Sequence, residues 1–346
     1  MKWLSDQGLR NLLRVAADPD FGGTKYRLLD EISRGGMGTV YRAVDTELER
    51  QIAIKVLNGP EAGEDIARRM VREAQIIARL EHPGIVPVHD VGLLPDGRVF
   101  YAMKLVRGGR LDQYASADVS LKDRLRKFQA ACEAVAFAHS HGVIHRDLKP
   151  QNIMIGSFGE VLVLDWGVAK VMPTHSTQAD SEADTLLLAA NGNTGDELQD
   201  TAQGTIIGTP VYMSPEQARG EIEGLDERSD VYSLGAILYF LFTGKSPRLT
   251  DEARLQIRPR ELNSKVTKPA EAVCLKALAQ SREDRYANAR ELAADIAHLI
   301  DDEPVSAYRE NTVERVGRWL GKNRFLVLLV LTYLLIRVFF IFTARR

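Results

Sequence analysis

The sequence has 346 residues, 45% apolar and 27% charged, with a formal net charge of −2. This is ordinary globular composition at a length that suits two domains or one two-lobed unit, and it leaves no electrostatic case for bulk nucleic-acid binding. Two cysteines, Cys132 and Cys274, lie far apart with no CxxC or histidine spacing. They argue against a disulfide framework or a zinc site, fit a reducing compartment, and read as small buried residues.

The opening MKWLSDQGLR has no long apolar run after Lys2, so it is not a secretory signal. Residues 1–25 suggest a short amphipathic helix (Leu4, Leu9, Leu12, Leu13) and a DPDFGG loop, a flank packed on the next domain. From Tyr26 to about Val106 the pattern is mostly strands: YRLLDEIS, GTVYRAVD, QIAIKVL, IVPVHDVG and RVFYAMKL, with a turn at Pro95-Asp96-Gly97. One helix, Asp65 to Leu80, interrupts them. From Leu111 onward helical periods dominate, clearest in LKDRLRKFQAACEAVAFAHSHG, SDVYSLGAILYFLFTG, AEAVCLKALAQ and ARELAADIAHLI. A strand-rich lobe before a helical lobe predicts a cleft between them, with a hinge near Lys104 to Gly109. Residues 173–203, rich in Ser, Thr, Asp, Asn, Gln and Gly, read as a mobile insertion.

Several groups along this chain suit phosphate chemistry. ISRGGMGTV carries Gly35, Gly36 and Gly38 between two strands, where backbone N–H groups could approach a phosphate; alone, a Gly-rich hairpin turn reads equally well. Lys55 stands in the apolar run QIAIKVL, either as an edge lysine in water or paired. The helix shifts that balance: Ile66, Met70, Glu73, Ile77 and Leu80 form one inward stripe in which Glu73 is the charge. An inward carboxylate needs a cation, and Lys55 is the natural one.

The stretch GVIHRDLKPQN sets His145, Arg146, Asp147, Lys149 and Asn152 between apolar segments, too much charge for a core without partners. Asp147 could accept a hydroxyl proton, Lys149 could neutralise a phosphoryl group, and Asn152 offers a neutral oxygen to Mg²⁺. Thirteen residues on, the strand VLVL ends in Asp165-Trp166-Gly167, and an Asp at a strand tip is well placed to hold a metal. Two oxygen ligands, two lysines and a glycine loop suit Mg²⁺ with a polyphosphate, because phosphoryl transfer depends on positioning and charge neutralisation.

In order and spacing these motifs, with GTPVYMSPE and DVYSLG, resemble the eukaryotic-type protein kinase family, in particular its bacterial serine/threonine members, over about residues 26–300. The resemblance implies an α+β, bilobed protein-kinase fold: a small antiparallel β lobe with one key helix (26–106) and a larger helical lobe (107–300). It implies ATP and Mg²⁺ as substrate and cofactor and proteins with Ser or Thr as acceptors. Lys55 would hold the α/β-phosphates and Glu73 would hold Lys55. Asp147 would be the catalytic base, Lys149 would stabilise the γ-phosphate, and Asn152 and Asp165 would bind Mg²⁺. The glycine loop starts at Ser33, where the family expects glycine. Val40 and Ala53 would sandwich the adenine, Met103 would be the gatekeeper, and backbone from Lys104 to Val106 would meet the base edge. Glu216 would pair with Arg285 to staple the large lobe, and Asp230 would anchor the catalytic loop. Lys149 together with Thr209 in GTP points to the Ser/Thr class.

Ser33, Trp166 in place of Phe, and Lys104 in place of the common hinge Glu are departures, and none removes a chemical group. In relatives an arginine such as Arg146 pairs with a phosphorylated residue of the segment Asp165–Glu216. Thr201 and Thr205 are the candidate phosphosites here, against an unmodified insertion, and the resemblance allows a dimer for autophosphorylation. TGKSP at 243–247 lacks the glycine frame of a phosphate loop. His139 and His141 read as the end of a helix rather than a metal cluster with His145.

After a basic juxtamembrane linker, 301–324, comes FLVLLVLTYLLIRVFFIFT at 325–343. Fifteen of its nineteen residues are Leu, Ile, Val or Phe. They favour insertion by about −4.5 to −9 kcal/mol, against at most about +3.5 kcal/mol for Arg337. A transmembrane helix is expected, with an amphipathic docking helix as the alternative. Arg315, Arg318, Lys322 and Arg324 precede the segment, and Arg345 and Arg346 follow it. That bias predicts a single-pass protein of the cell membrane with its kinase domain in the cytoplasm and no nucleic-acid partner. The competing readings are a nucleotide-binding pseudokinase scaffold at the membrane and, more remotely, a small-molecule kinase.

Overall fold

The computed structural model describes residues 19–36, 38–59, 64–116, 118–166, 169–171, 210–221, 224–247 and 257–344. Expectations for residues 1–18, Gly167, the insertion 173–203, and Thr201, Thr205 and Thr209 lie outside these residues.

The first lobe is an antiparallel sheet of five strands: β1 (Tyr26–Arg34), β2 (Gly38–Asp45), β3 (Arg50–Leu57), β4 (Val88–Leu93) and β5 (Val99–Lys104), in the order β1-β2-β3-β5-β4. Between β3 and β4 runs helix α1 (Glu64–Arg79). The strands follow the predicted segments closely except at β4, which was expected from Ile85. Pro87 has no N–H to give a ladder, so pairing starts at Val88; Ile85 instead bridges to Val163 of the other lobe.

The register sorts the sheet into two faces. Ile52, Ile54 and Val56 pack with Tyr41, Ala43 and Phe100 on one side. Directly opposed residues share a face, so the pairs Val40↔Lys55, Ala53↔Met103 and Lys55↔Tyr101 place all five side chains on the other. Phe21 closes the first core, its ring 5.1 Å from that of Phe100, so the described end of the N-terminal flank does pack on the sheet.

The second lobe begins at β6 (Gly108–Arg110) and α2 (Leu111–Ser116). It is built on α3 (Leu121–Ser140), α5 (Glu227–Thr243), α7 (Lys268–Ala277) and α8 (Ala289–Ile300), with α4 (Pro215–Ala218) and α6 (Pro259–Leu262) as short links. Each long helix starts at a side-chain cap: Ser120, Asp226, Thr267 and Asn288 accept N–H groups of the first turn. α5 is buried on nearly every face because it runs through the middle of the lobe, which explains its continuous apolar sequence. Cys132 and Cys274 are free and buried in this core.

Three small strands, β7 (Val143–Ile144), β8 (Ile153–Gly156) and β9 (Val161–Val163), pack on the lobe's core; β8 pairs with β6 and β9, and β10 (Lys170–Val171) pairs with β7. The lobes are joined through packing as well as chain: Ile76, Ile77 and Leu80 at the end of α1 belong to the second lobe's core. That core also extends past residue 300. Val305 is buried in it, and Asp295 accepts the N–H groups of Ser306 and Ala307 at 2.7 and 3.2 Å.

Two helices follow, α9 (Thr312–Lys322) and α10 (Arg324–Ala344). A helix thus covers 325–343, where a transmembrane helix is expected from the sequence. Along α10 the described side chains run no further than Arg337, and among the described residues no helix is long and apolar enough to cross a membrane.

Candidate active site

Lys55 lies on the sheet face that turns toward α1, and Glu73 lies on the inward stripe of α1. The ammonium meets both carboxylate oxygens, at 2.8 and 2.9 Å, with both side chains nearly closed to water. Tyr101, opposite Lys55 in the ladder, donates its hydroxyl to Glu73 Oε1 at 2.8 Å. Nothing in the sequence spacing singled out Tyr101; the signal was its register opposite Lys55, which needs the sheet. Lys55 also reaches Asp165 Oδ1 at 3.5 Å. Burial works against the lysine's charge, but Glu73 and Asp165 outweigh it and its pKa is raised. Burial likewise opposes the Asp165 carboxylate, and Lys55, His145 and Lys149 overcome it, so its pKa is lowered and it stays ionised.

The loop between β7 and β8 gathers the remaining charges. Lys149 Nζ donates to Asp147 Oδ2 at 2.6 Å. Asn152 uses its amide nitrogen on the Asp147 carbonyl at 2.8 Å and on Asp147 Oδ2 at 3.2 Å, leaving its amide oxygen as a free acceptor. The loop is fixed from below by Asp230 in the first turn of α5. Its Oδ2 accepts the His145 N–H at 2.8 Å and its Oδ1 the Arg146 N–H at 2.9 Å. His139 adds a third bond through Nε2 at 2.9 Å, so this residue, expected only to end a helix, is a buried partner of Asp230. Burial raises the Asp230 pKa, but His139 and the loop N–H groups win and it is lowered.

Two site residues hold left-handed backbone, Arg146 at φ 70° and Asp165 at φ 61°, a conformation side chains seldom adopt unless their surroundings impose it. The two are linked through His145. The Asp147 N–H donates to its Nδ1 at 3.3 Å, so Nε2 carries the proton toward the Leu164 carbonyl at 3.0 Å. Trp166 packs beside that ring with centroids 4.6 Å apart; it is buried, and its indole N–H has no partner among the described residues.

In the glycine turn the Gly35 N–H donates to the Gly38 carbonyl at 2.9 Å. Asn58, another residue the sequence did not flag, donates to the Gly35 carbonyl at 2.7 Å and accepts from Thr39 at 2.7 Å. A side chain at Gly38 would stand 2.6 Å from the Val56 carbonyl oxygen, whereas the space around Gly36 is open. Ser33 pairs with Val40. At the hinge the Lys104 N–H is taken by the Pro87 carbonyl at 3.1 Å, so Lys104 can meet a base edge only through its carbonyl. Val106 follows, half-buried against the second lobe's core.

Away from these groups, Glu216 and Arg285 form a buried two-pronged pair at 2.7 and 2.9 Å. Arg285 spends further N–H groups on the carbonyls of Ala279, Arg228 and Gln280. Burial raises the Glu216 pKa, but the Arg285 bonds dominate and hold it at about 2. The Arg146 carbonyl accepts from Gln217 at 2.8 Å, tying α4 to the catalytic loop. The Arg146 guanidinium makes no ion pair among the described residues, and burial lowers its pKa.

Among the described residues no group of three or more His, Cys, Asp or Glu could hold a metal by itself. Asn152 and Asp165 offer one neutral and one charged oxygen. That donor set suits Mg²⁺, which keeps few protein ligands and completes its shell with phosphate oxygens and water.

The protein kinase domain family model matches residues 26–302. Serine/threonine-protein kinase PknB of Mycolicibacterium smegmatis is 37% identical over 309 residues, 84% of this chain and 45% of that one. PknD of Protochlamydia amoebophila is 35% identical over 80% of this chain and 30% of its own length. The chain thus spans less than half the length of these relatives. Among solved structures, the PknI kinase domain of Mycobacterium tuberculosis superposes with a TM-score of 0.57 at 26% identity, covering 79% of this chain and 96% of that one.

Proposed function

The chain belongs to the protein kinase family, and from that premise we propose that it transfers the γ-phosphoryl group of ATP to serine and threonine hydroxyls of proteins. The observation that carries this reading is the unbroken chain of contacts Glu73–Lys55–Asp165 beside Lys149–Asp147–Asn152. The lysine–glutamate pair is in place, as phosphoryl transfer by such a site requires, and Asp165 stands at the same lysine. No observation favours a scaffold without turnover.

In this reading Val40, Ala53 and Met103 bound the adenine, and the Lys104 carbonyl and the Val106 N–H meet its edge. Lys55 holds the α/β-phosphates under the turn of Gly35, Gly36 and Gly38. Asn152 and Asp165 would hold Mg²⁺, which neutralises phosphate charge when bound. Asp147 orients the acceptor hydroxyl and takes its proton, while Lys149, already at the Asp147 carboxylate, neutralises the transferring group. Asp147→Asn tests the assignment. ATP-dependent phosphorylation should fall on the order of 10²–10⁴-fold with an unchanged melting curve, and wild-type turnover in that variant would refute the role.

Regulation by phosphorylation of the segment before Glu216 fits the half-buried Arg146, which has no ion pair among the described residues, with Thr201 and Thr205 as acceptors. A membrane span at 325–343 fits α10. Its 21 residues extend about 31 Å at 1.5 Å per residue, close to a hydrocarbon core. Among its described side chains Leu328, Leu331, Tyr333 and Leu335 are all more than half exposed, as a lipid-facing helix requires. The basic residues ahead of it fit a kinase domain in the cytoplasm.

A further inference from the structure

α9 is anchored to the kinase domain by one side and leaves the other bare. Glu314 caps its N-terminus with Asn311, pairs with Lys268 of α7 at 2.8 Å and accepts from Tyr308. Arg318, one turn on, pairs with Glu310 at 2.6 Å. At about 100° per residue, Val313, Val316 and Leu320 lie within roughly 60° of each other on the opposite side, with Trp319 at one edge. All four are exposed, Val313 by 80% and Trp319 by 55%. Beyond Trp319 on that flank lies Arg315, exposed and without an ion pair among the described residues. The next helix, α10, begins two residues after α9 ends.

The geometry points to α9 as a surface helix that lies in the headgroup layer of an anionic bilayer, with Val313, Val316 and Leu320 in the acyl boundary and Trp319 and Arg315 at the headgroups. An apolar stripe flanked by tryptophan and, beyond it, an arginine, opposite a polar face, is the pattern of an interfacial helix rather than a spanning one. Anionic lipid is the occupant that the unpaired cation on the stripe's border complements. The inference rests on α10 as a span, which would hold α9 at the membrane. It adds that Glu314–Lys268 and Arg318–Glu310 fix the kinase domain's orientation to the surface. The α7 side of the domain then sits next to the bilayer.

The test uses the full chain in phosphatidylcholine–phosphatidylglycerol vesicles, with a fluorophore on Val316→Cys or, separately, on Leu331→Cys. Cys132 and Cys274 are fully buried and stay unlabelled. A label at 316 should be quenched by nitroxide near the headgroup end of the acyl chain, and a label at 331 by nitroxide deep in the chain. Arg315→Glu, or phosphatidylcholine alone, should reduce the signal at 316, by roughly fivefold in surface partition per charge lost. A water-exposed 316 with a deeply quenched 331 overturns the inference and leaves the span standing. Quenching at 316 with none at 331 upholds the surface helix and refutes the span. A label at 316 shielded from water but untouched by lipid nitroxide means a second copy or another protein covers the face, which also overturns it.

Discussion

Tyr101 donates its hydroxyl to Glu73 across 2.8 Å, to the same carboxylate oxygen that receives Lys55. Two side chains from two strands thus share one buried carboxylate on a helix. The tyrosine supplies a fixed donor to a carboxylate that is almost fully buried. Tyr101→Phe keeps the ring and deletes that donor. We expect a loss of about 1.5–3 kcal/mol, as for a hydrogen bond to a charged group. In steady-state assays KM for ATP should rise several-fold with kcat changed less, because the loosened lysine is the proposed phosphate contact.

Asp230 holds the loop that carries Asp147 through two backbone N–H groups and His139. Asp230→Asn replaces one acceptor by an NH₂ group facing a donor. Stability should fall by about 3 kcal/mol or more. The kcat should drop more than KM for ATP changes, since the loop that Asp230 holds carries Asp147, the proposed base. Denaturant titration and kinetics check both halves.

Acid should weaken the fold through Glu216. Its folded pKa of about 2 lies below the ordinary 4.5, so its contribution is complete above pH 4.5 and is lost as pH falls toward 2. The shift corresponds to about 3 kcal/mol. Urea midpoints measured from pH 6 to pH 2 should show this slope in wild type, and Glu216→Gln should remove that part of it while lowering stability at neutral pH.

The glycine turn separates two uses of glycine. Gly38→Ala would drive a methyl to 2.6 Å from the Val56 carbonyl, so strands must shift and stability should fall by about 1–3 kcal/mol. Gly36→Ala meets open space, so melting should hold within about 0.5 kcal/mol while KM for ATP rises. Equal melting losses in both variants would contradict the assignment of Gly36 to ligand approach.

Much of the site was legible before folding because its parts are local. The Lys55–Glu73 pair followed from one charge on an inward helical stripe and one in a strand, and Asp147, Lys149 and Asn152 sit within six positions. Tyr101, Asn58 and His139 were not legible. Each looks like an ordinary strand, loop or helix residue, and its partner lies 28, 23 and 91 positions away. The start of β4 was misjudged because β propensity was read through Pro87, which cannot donate to a ladder.

By itself the sequence determined the order of elements, the two-lobed division and the identity of the charged groups, since periodicity, capping and apolar runs act within a turn or a strand. Only the tertiary structure decided which buried donors and acceptors satisfy one another: the tyrosine on Glu73, the histidine on Asp230, and the left-handed backbone at Arg146 and Asp165. The physical reason is that a buried polar group must find a partner wherever the packed chain supplies one, and sequence distance carries no information about where that is.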